Sequence, residues 1–473
     1  MPSTKHCPFA AAGAANGFGA RQEAPPRADG DRGRLVGRAE GTGMSEVVIV
    51  GGGLAGLVAA RRLARDEADV TLFERRAELG GRVRSREVDG FTLDRGFQVL
   101  FSAYPAVREE LDLGALDLRT FAPGATIARP DHRSTLADPF RAPLAAVESA
   151  MNPDVTLLDK LRVLRLRREL GNADPDELLD GPTESIREYL DGKGFSEKFV
   201  ENFAAPFYGG ITLDRSLSTD AGVFRYTFSM LSRGKTAVPA DGMGAIPRQL
   251  AARAREAGVS IRTGTEVTAV EGAAGDGATG EGGTGKATVE TGGETVDADA
   301  VVVATDPRTA RQLTGVESIP TDARGCVTQY FRTREHRSLD TGHRLVLNAV
   351  DSCPNTVAPL STVAPEYAPD GHALLSATTL GVPDRSDEEL ATAVRDALVT
   401  WYPEHRFDDL ELLATDRVEF AQFDQPPGFR DGLPAADAPE GPVYLAGDYT
   451  EWSSIQGALE SGRAAAEAVS DDI

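Results

Sequence analysis

Read from Met44, the apolar positions fall first into a run, Val47 to Val50, then into helical spacing at Leu54, Leu57, Val58 and Leu63, then into a second run, Val70 to Phe73. A short continuous run suits a strand buried on both faces, and the i, i+3, i+4 spacing suits a helix packed on one side, so the pattern predicts strand, turn, helix, strand. From roughly Pro130 to Arg233 the rhythm turns helical, most clearly at Leu157, Leu158, Leu161 and Leu164. Near Pro239, VPADGMGAIPRQLAARAREAGVSIRTGTEVTAV predicts a glycine-containing turn, a helix through Leu250 and strands around Val259 and Val267. VDADAVVVATDP adds an apolar strand, Ala300 to Ala304, and the segment from about Thr309 to Phe423 carries alternating strands such as RLVLNAV and HALLSATTL.

At 473 residues the chain exceeds one compact core. The interleaved pattern predicts an α/β domain with a doubly wound parallel sheet, built from residues 44–129, 234–308 and 424–473. An α+β cap would come from residues 130–233, mostly helical, and 309–423. The opening residues, 1–43, lack hydrophobic periodicity and carry six basic against four acidic side chains. They read as a disordered or artefactual leader with translation beginning at Met44, or as a transit peptide. Gly272 to Gly285 reads as a flexible hairpin tip.

Net charge is -23, with 73 acidic residues against 50 basic, of which only six are lysine. That balance argues against nucleic acid as a partner. An acidic, lysine-poor, arginine-rich composition resembles proteins of salt-loving archaea, with a merely acidic mesophile as the plainer account. Cys7, Cys326 and Cys353 form no C-x-x-C pair, which fits a reducing cytoplasm, and no apolar run is long enough to span a membrane.

Gly51, Gly53 and Gly56 spell G-x-G-x-x-G between the first strand and helix, where such glycines allow a tight turn, close approach of a pyrophosphate, and close helix packing. Glu74 closes the second strand, placed to accept from ribose hydroxyls and to repel a 2'-phosphate, so the adenosine half is NAD or FAD. GDGATG (Gly275–Gly280) and GEGGTGKA (Gly280–Ala287) imitate phosphate-binding motifs, but neither opens a helix.

GGGLAG, ERR, LGGRVRS, GFTLDRGFQ, TGTEV, LAGDYT and SSIQGALESG follow one another in an order that resembles the flavin-containing amine oxidoreductase superfamily, in flavour its phytoene-desaturase and protoporphyrinogen-oxidase-like branch. The resemblance spans Met44 to the C-terminus and implies a Rossmann-like FAD-binding domain with an interleaved substrate domain. It would place Gly51, Gly53, Leu54, Ala55 and Gly56 along the pyrophosphate, and Glu74 on the adenosine ribose with Arg75 beside it. Gly81 and Arg82 would follow the phosphates and ribityl chain, and Phe97 with Gln98 would reach the flavin edge. Val267 would meet adenine, Asp448 after Gly447 would hold ribityl or phosphate oxygens, and Ile455 would lie under the pyrimidine end. Ser453 and Gln456 have capping-box spacing, which predicts a helix whose positive end favours a reduced ring.

A flavin carries out the oxidation itself, so no catalytic side chain is singled out. Amine oxidases of this superfamily carry a lysine near the flavin, whereas no lysine follows Lys286 here, which favours an apolar small-molecule substrate. No cysteine lies near the C-terminal block, so the FAD is expected to be non-covalent. His6, His132, His336, His343, His372 and His405 are scattered, and no metal site is expected; Glu109–Glu110 and Asp408–Asp409 read as solvated surface charge. Residues 155–170 concentrate Lys160, Arg162, Arg165, Arg167 and Arg168 beside leucines. This helix either packs its leucines inward or lies on an anionic membrane, peripheral to the bilayer. The acceptor, oxygen or a quinone, and the oligomeric state are not readable. Alternatives to the dehydrogenase are an amine oxidase, a flavin-dependent polyene isomerase and a non-catalytic FAD-fold binding protein.

Overall fold

The computed structural model describes residues 44–137, 152–272 and 286–473. The leader, the greater part of the Gly272–Gly285 tip and the motif-like glycines at 275–285 lie outside the described residues.

The chain opens with β1 (Glu46–Val50), α1 (Leu54–Arg65), β2 (Asp69–Glu74) and the hairpin β3 (Ser85–Val88) and β4 (Phe91–Asp94). β5 (Leu100–Phe101), α2 (Pro105–Glu110), β6 (Leu118–Thr120), β7 (Ala125–Arg129) and β8 (His132–Leu136) follow. The helical stretch holds α3 (Leu157–Leu170), α4 (Ile186–Gly192), a π-helical turn at Val200–Ala204, α5 (Ala205–Thr212) and α6 (Ala221–Arg233). Next come β9 (Thr236–Pro239), α7 (Ala245–Glu256), β10 (Ser260–Thr263), the meander β11 (Val267–Gly272), β12 (Ala287–Thr291) and β13 (Thr295–Ala298), then β14 (Ala300–Val303) and α8 (Pro307–Thr314). The last part carries β15 (Ala323–Arg334), β16 (Leu345–Asn348), β17 (Thr356–Ala358), β18 (His372–Leu380), α9 (Asp387–Trp401), β19 (Glu411–Phe423), β20 (Val443–Leu445) and α10 (Ile455–Asp472).

β10, β2, β1, β14 and β20 form a parallel sheet in that order, with Ile49 opposite Leu72 on one side and Val302 on the other. Because successive side chains alternate in direction, Val47 and Ile49 join the core with α1, whereas Val48 and Val50 join a second core with Val289, Ala298 and Val301. Helices α1, α7 and α10 therefore cover one face, and the meander β11–β13 with α8 covers the other. Leu57, Val58 and Leu63 are completely buried, each worth roughly 1.5–3 kcal/mol of transfer free energy.

The second sheet has seven strands, ordered β19-β15-β18-β17-β16-β7-β8. β7 pairs with β16 in parallel, so the chain enters this sheet by Ala125, slightly ahead of Pro130. One face packs on α9 through Phe331, Leu375, Val394 and Leu398, and the other faces a cavity.

In α3, Leu166 and Leu170 are buried but Leu157, Leu158 and Leu161 are 70%, 62% and 55% exposed. The inward-packed placement thus holds only for the C-terminal half of the helix. Among the described residues no helix is long and apolar enough to cross a membrane.

Candidate functional site

One cavity of about 1220 Å³ is lined by residues of both sheets and of the helical stretch. Ordinary ligand pockets run to roughly 300–1,000 Å³, so this one has room for a dinucleotide and more.

The turn from β1 into α1 forms one part of its wall. Gly51 has φ +113°, and a Cβ there would sit 2.6 Å from the Ala304 carbonyl oxygen. At Gly53 an added Cβ would meet nothing within 4 Å, because that position faces the open cavity. Gly53 caps α1 without a side-chain hydrogen bond and the first turn holds no acidic residue, so the N–H groups at its positive end are left for an anion. Leu54 and Ala55 line the cavity as well. Gly56 does not: a Cβ there would lie 2.0 Å from the Gly51 oxygen, so its smallness gives the close helix packing that the motif predicts, and it stands behind the cavity wall rather than in it.

Glu74 is buried at the cavity wall. Its Oε2 accepts from Gly52 N at 2.8 Å and its Oε1 from Arg76 N at 2.9 Å, which fixes the carboxylate and leaves each oxygen a further lone pair. Arg75 pairs with Asp306 at 3.2 Å on the exposed rim. Gly81, at φ +60°, leads into Arg82, which donates Nη1 to the Ala421 carbonyl at 3.1 Å and pairs with Asp448. Burial by itself would lower the Arg82 pKa, but the Asp448 carboxylate outweighs it and the guanidinium stays firmly charged. Asp448 also accepts from Ser453 Oγ at 2.8 Å, and Gly447 N donates to Ser461 Oγ at 2.7 Å. Gln98 Nε2 donates to the carbonyls of Arg82 (3.0 Å) and Arg95 (3.1 Å), while Phe97 N donates to Thr328 Oγ1 at 3.3 Å. Val267, at the start of β11, and Ile455, at the start of α10, complete the lining. The structure thus brings fourteen of the fifteen residues singled out by sequence to one cavity, Gly56 being the one behind its wall.

The C-terminal helix is capped one residue later than its spacing predicts. Ser454, not Ser453, accepts from Gly457 N, at 2.8 Å. Ser453 is turned to Asp448, and Gln456 Oε1 accepts from Ala106 N at 3.0 Å, so neither residue is free for a capping box.

Three further features escaped the sequence reading. The Arg95 guanidinium lines the cavity without a hydrogen bond or ion pair to any described residue, and burial lowers its pKa. Thr328, Thr378 and Thr356 stand in register across β15, β18 and β17, and Cys326 lies beside them with its thiol pushed up to about 11 by burial. Phe195, Phe199, Phe203 and Phe207 line the far part of the cavity with Phe224 and Phe228. The four-residue spacing in GFSEKFVENFAAPFYGG was a visible signal for the first four. Lys160, on α3, is the one lysine in the lining, and among the described residues no cluster suits a metal ion.

The residues present fit a dinucleotide. An uncapped helix end, an unfilled glycine position and a fixed carboxylate at the end of β2 would suit a pyrophosphate and a ribose, and Arg82 with Asp448 lines the wall toward α10.

A family model described as flavin containing amine oxidoreductase matches residues 54–470. The phytoene dehydrogenase of Streptomyces griseus is 29% identical over 306 residues, which are 58% of this chain and 56% of that protein. The zeta-carotene-forming phytoene desaturase of Myxococcus xanthus is 27% identical over 286 residues, 55% of this chain and 53% of that one. The chain thus spans about half the length of these curated relatives. An oxidoreductase from Methanosarcina mazei shares the fold, with TM-score 0.66 at 17% identity, covering 90% of this chain and 100% of that one.

Proposed function

The chain belongs to the flavin containing amine oxidoreductase family, and from that premise we propose that it is an FAD-dependent oxidoreductase that dehydrogenates a long, apolar small molecule. The observation that carries this reading is the single cavity that joins the dinucleotide cradle at Gly53 and Glu74 to an aromatic channel at Phe195–Phe228.

A bound flavin would supply the acceptor for a hydride from a substrate C–H bond, with the proton of the neighbouring carbon passing out to solvent as one C=C bond forms. The protein's own share is to orient the chain along an apolar lining. Gly51, Gly53, Leu54, Ala55, Glu74, Arg75, Gly81, Arg82, Val267, Gly447 and Asp448 would hold the dinucleotide, with Phe97, Gln98 and Ile455 at its reactive end. The uncharged hydroxyls of Thr356 and Thr378 and the neutral thiol of Cys326 face the channel from the cap sheet, and these suit an apolar chain better than an ammonium group.

The FAD is read as non-covalent, because Gly447–Ala458 contains neither cysteine nor histidine. Leu157 and Leu161 are exposed and also line the cavity, and Arg165 and Arg168 are exposed beside them. This supports α3 as the place where the protein rests on an anionic membrane and admits a lipid-dissolved substrate. The acidic, lysine-poor composition and the free thiols Cys326 and Cys353 support a reducing, salt-rich cytoplasm.

The test is anaerobic titration of the flavin-loaded protein with polyenes, porphyrinogens and amines. Bleaching of the flavin by polyenes supports the reading; bleaching by amines alone overturns it.

A further inference from the structure

Phe195, Phe199, Phe203 and Phe207 recur every fourth residue, and their successive ring centroids lie 4.5, 5.5 and 5.3 Å apart at interplanar angles of 25°, 44° and 13°. All four line the cavity. Phe195 precedes the helical stretch that begins at Glu197; from Phe199 onward, positions four apart in an α-helix drift around the axis by about 40°, so two such steps would turn Phe207 about 80° away from Phe199. The π-helical turn Val200–Ala204 lies in the middle of the row, with Ala205 N bonded back to the Val200 oxygen. Its wider i→i+5 turn rotates the chain the other way and keeps the rings in one line. Such turns are rare and concentrate at functional sites.

The row has a defined start and finish. Beside Phe195, Ser196 N and Oγ donate to Asp159 of α3 at 2.9 and 2.5 Å, so this end is fastened to the helix with the exposed leucines. Beyond Phe207, the Ile211 carbonyl accepts from Gln422 Nε2 at 2.7 Å, one residue along β19 from the Ala421 carbonyl that receives Arg82. The ladder therefore connects the cavity mouth at α3 with the flavin cradle.

We propose that this ladder selects a chain already conjugated along the part that lies on it, so that the enzyme extends an existing polyene and its substrate comes from an earlier dehydrogenation. The proposal rests on the apolar-chain reading above. Two physical effects carry it. Stacked rings turn their electropositive rims toward a third group, and a conjugated chain offers a π face to those rims where a chain of isolated double bonds offers mostly methylenes. A conjugated run is also rigid and planar before it binds, whereas each rotor of an unconjugated chain loses freedom when it is drawn straight along the track.

The test uses the full-length, flavin-loaded protein and two chains of equal carbon number, neurosporene with a long conjugated run and phytoene with a short one. Equilibrium binding is read by quenching of tryptophan fluorescence, Trp452 being in the cavity wall. Wild type is expected to bind neurosporene about tenfold more tightly than phytoene. The double variant Phe203→Leu/Phe207→Leu should bring the two within about twofold. Flavin content and melting temperature should stay unchanged, since both rings are only partly buried. Phe203→Leu alone should give an intermediate ratio, and this milder variant decides the matter if the double variant loses flavin. Phe407→Leu, on the other face of the second sheet and outside the cavity, should leave the preference intact. Equal binding of the two chains by wild type, or a preference that survives in the double variant, overturns the ladder proposal alone. Flavin bleaching by amines with no binding of either chain overturns both it and the reading on which it rests.

Discussion

Arg82 and Asp448, 366 positions apart in sequence, form an ion pair on the wall of the cavity, with the aspartate almost wholly buried. Arg82→Ala leaves that carboxylate without its cation, a loss of about 1–3 kcal/mol, since the arginine side chain is itself 32% exposed and Ser453 still donates to Asp448. The expected outcome is a lower urea midpoint together with flavin occupancy well below one per chain, read from the visible spectrum. A variant that keeps both its stability and its flavin would show that the pair does not organise the cradle.

Gly53 and Gly56 belong to one motif but meet different surroundings, open cavity in the first case and a backbone oxygen 2.0 Å away in the second. Gly53→Ala should fold with nearly unchanged melting temperature and bind flavin at least about tenfold more weakly, because the new methyl stands where a phosphate approaches. Gly56→Ala should lose stability first, by about 1–3 kcal/mol, as α1 is pushed off β1. Equal loss of stability in both variants would contradict the assignment.

Asp94 is fully enclosed and accepts from Ser85 Oγ (2.5 Å), Met243 N (2.8 Å) and Tyr367 Oη (3.0 Å), tying the β3–β4 hairpin to the turn before α7 and to the cap. Burial raises its pKa from 3.8 to about 6 despite those three donors. Between the two values the folded state holds more protons than the unfolded one, so this group adds stability as pH falls through about 6 and withdraws it as pH rises. Asp94→Asn should remove that contribution. Urea midpoints from about pH 8 to pH 5 would then rise less on acidification in the variant than in wild type, and parallel curves would refute the assignment.

Ser453 and Ser454 separate capping from cradle support. Ser454→Ala should cost about 1 kcal/mol of stability through the lost helix cap. Ser453→Ala should spare the helix and weaken flavin binding through Asp448, measured by flavin release on dilution. If both substitutions act only on stability, the hydroxyl of Ser453 has no part in the site.

Leu157 and Leu161, exposed on α3, should anchor the protein to anionic vesicles. Leu157→Gln/Leu161→Gln is expected to reduce co-sedimentation with such vesicles about tenfold, from the apolar area withdrawn from the bilayer surface. Wild-type protein that stays in the supernatant at low salt would end the membrane proposal.

Much of this site was legible along the chain. β1, the glycine turn, α1 and β2 follow from short continuous apolar runs giving way to a 3.6-residue period, and Glu74 follows from its place at the end of β2, because these depend on neighbours a few residues apart. The Phe195 to Phe207 row was spelled out in the sequence too, yet its meaning was hidden: from Phe199 to Phe207 a spacing of four makes a line only when a π-helical turn corrects the drift.

Sequence by itself determined the class of the fold, the dinucleotide turn and the family, since periodicity, glycine sterics and ordered motifs are properties of a one-dimensional string. Only the tertiary structure decided that Arg82 meets Asp448, that Ser454 takes the cap while Ser453 turns to the site, and that half the leucines of α3 face outward. Each of those outcomes depends on which distant surface competes for a side chain, and that competition exists only after the chain has closed on itself.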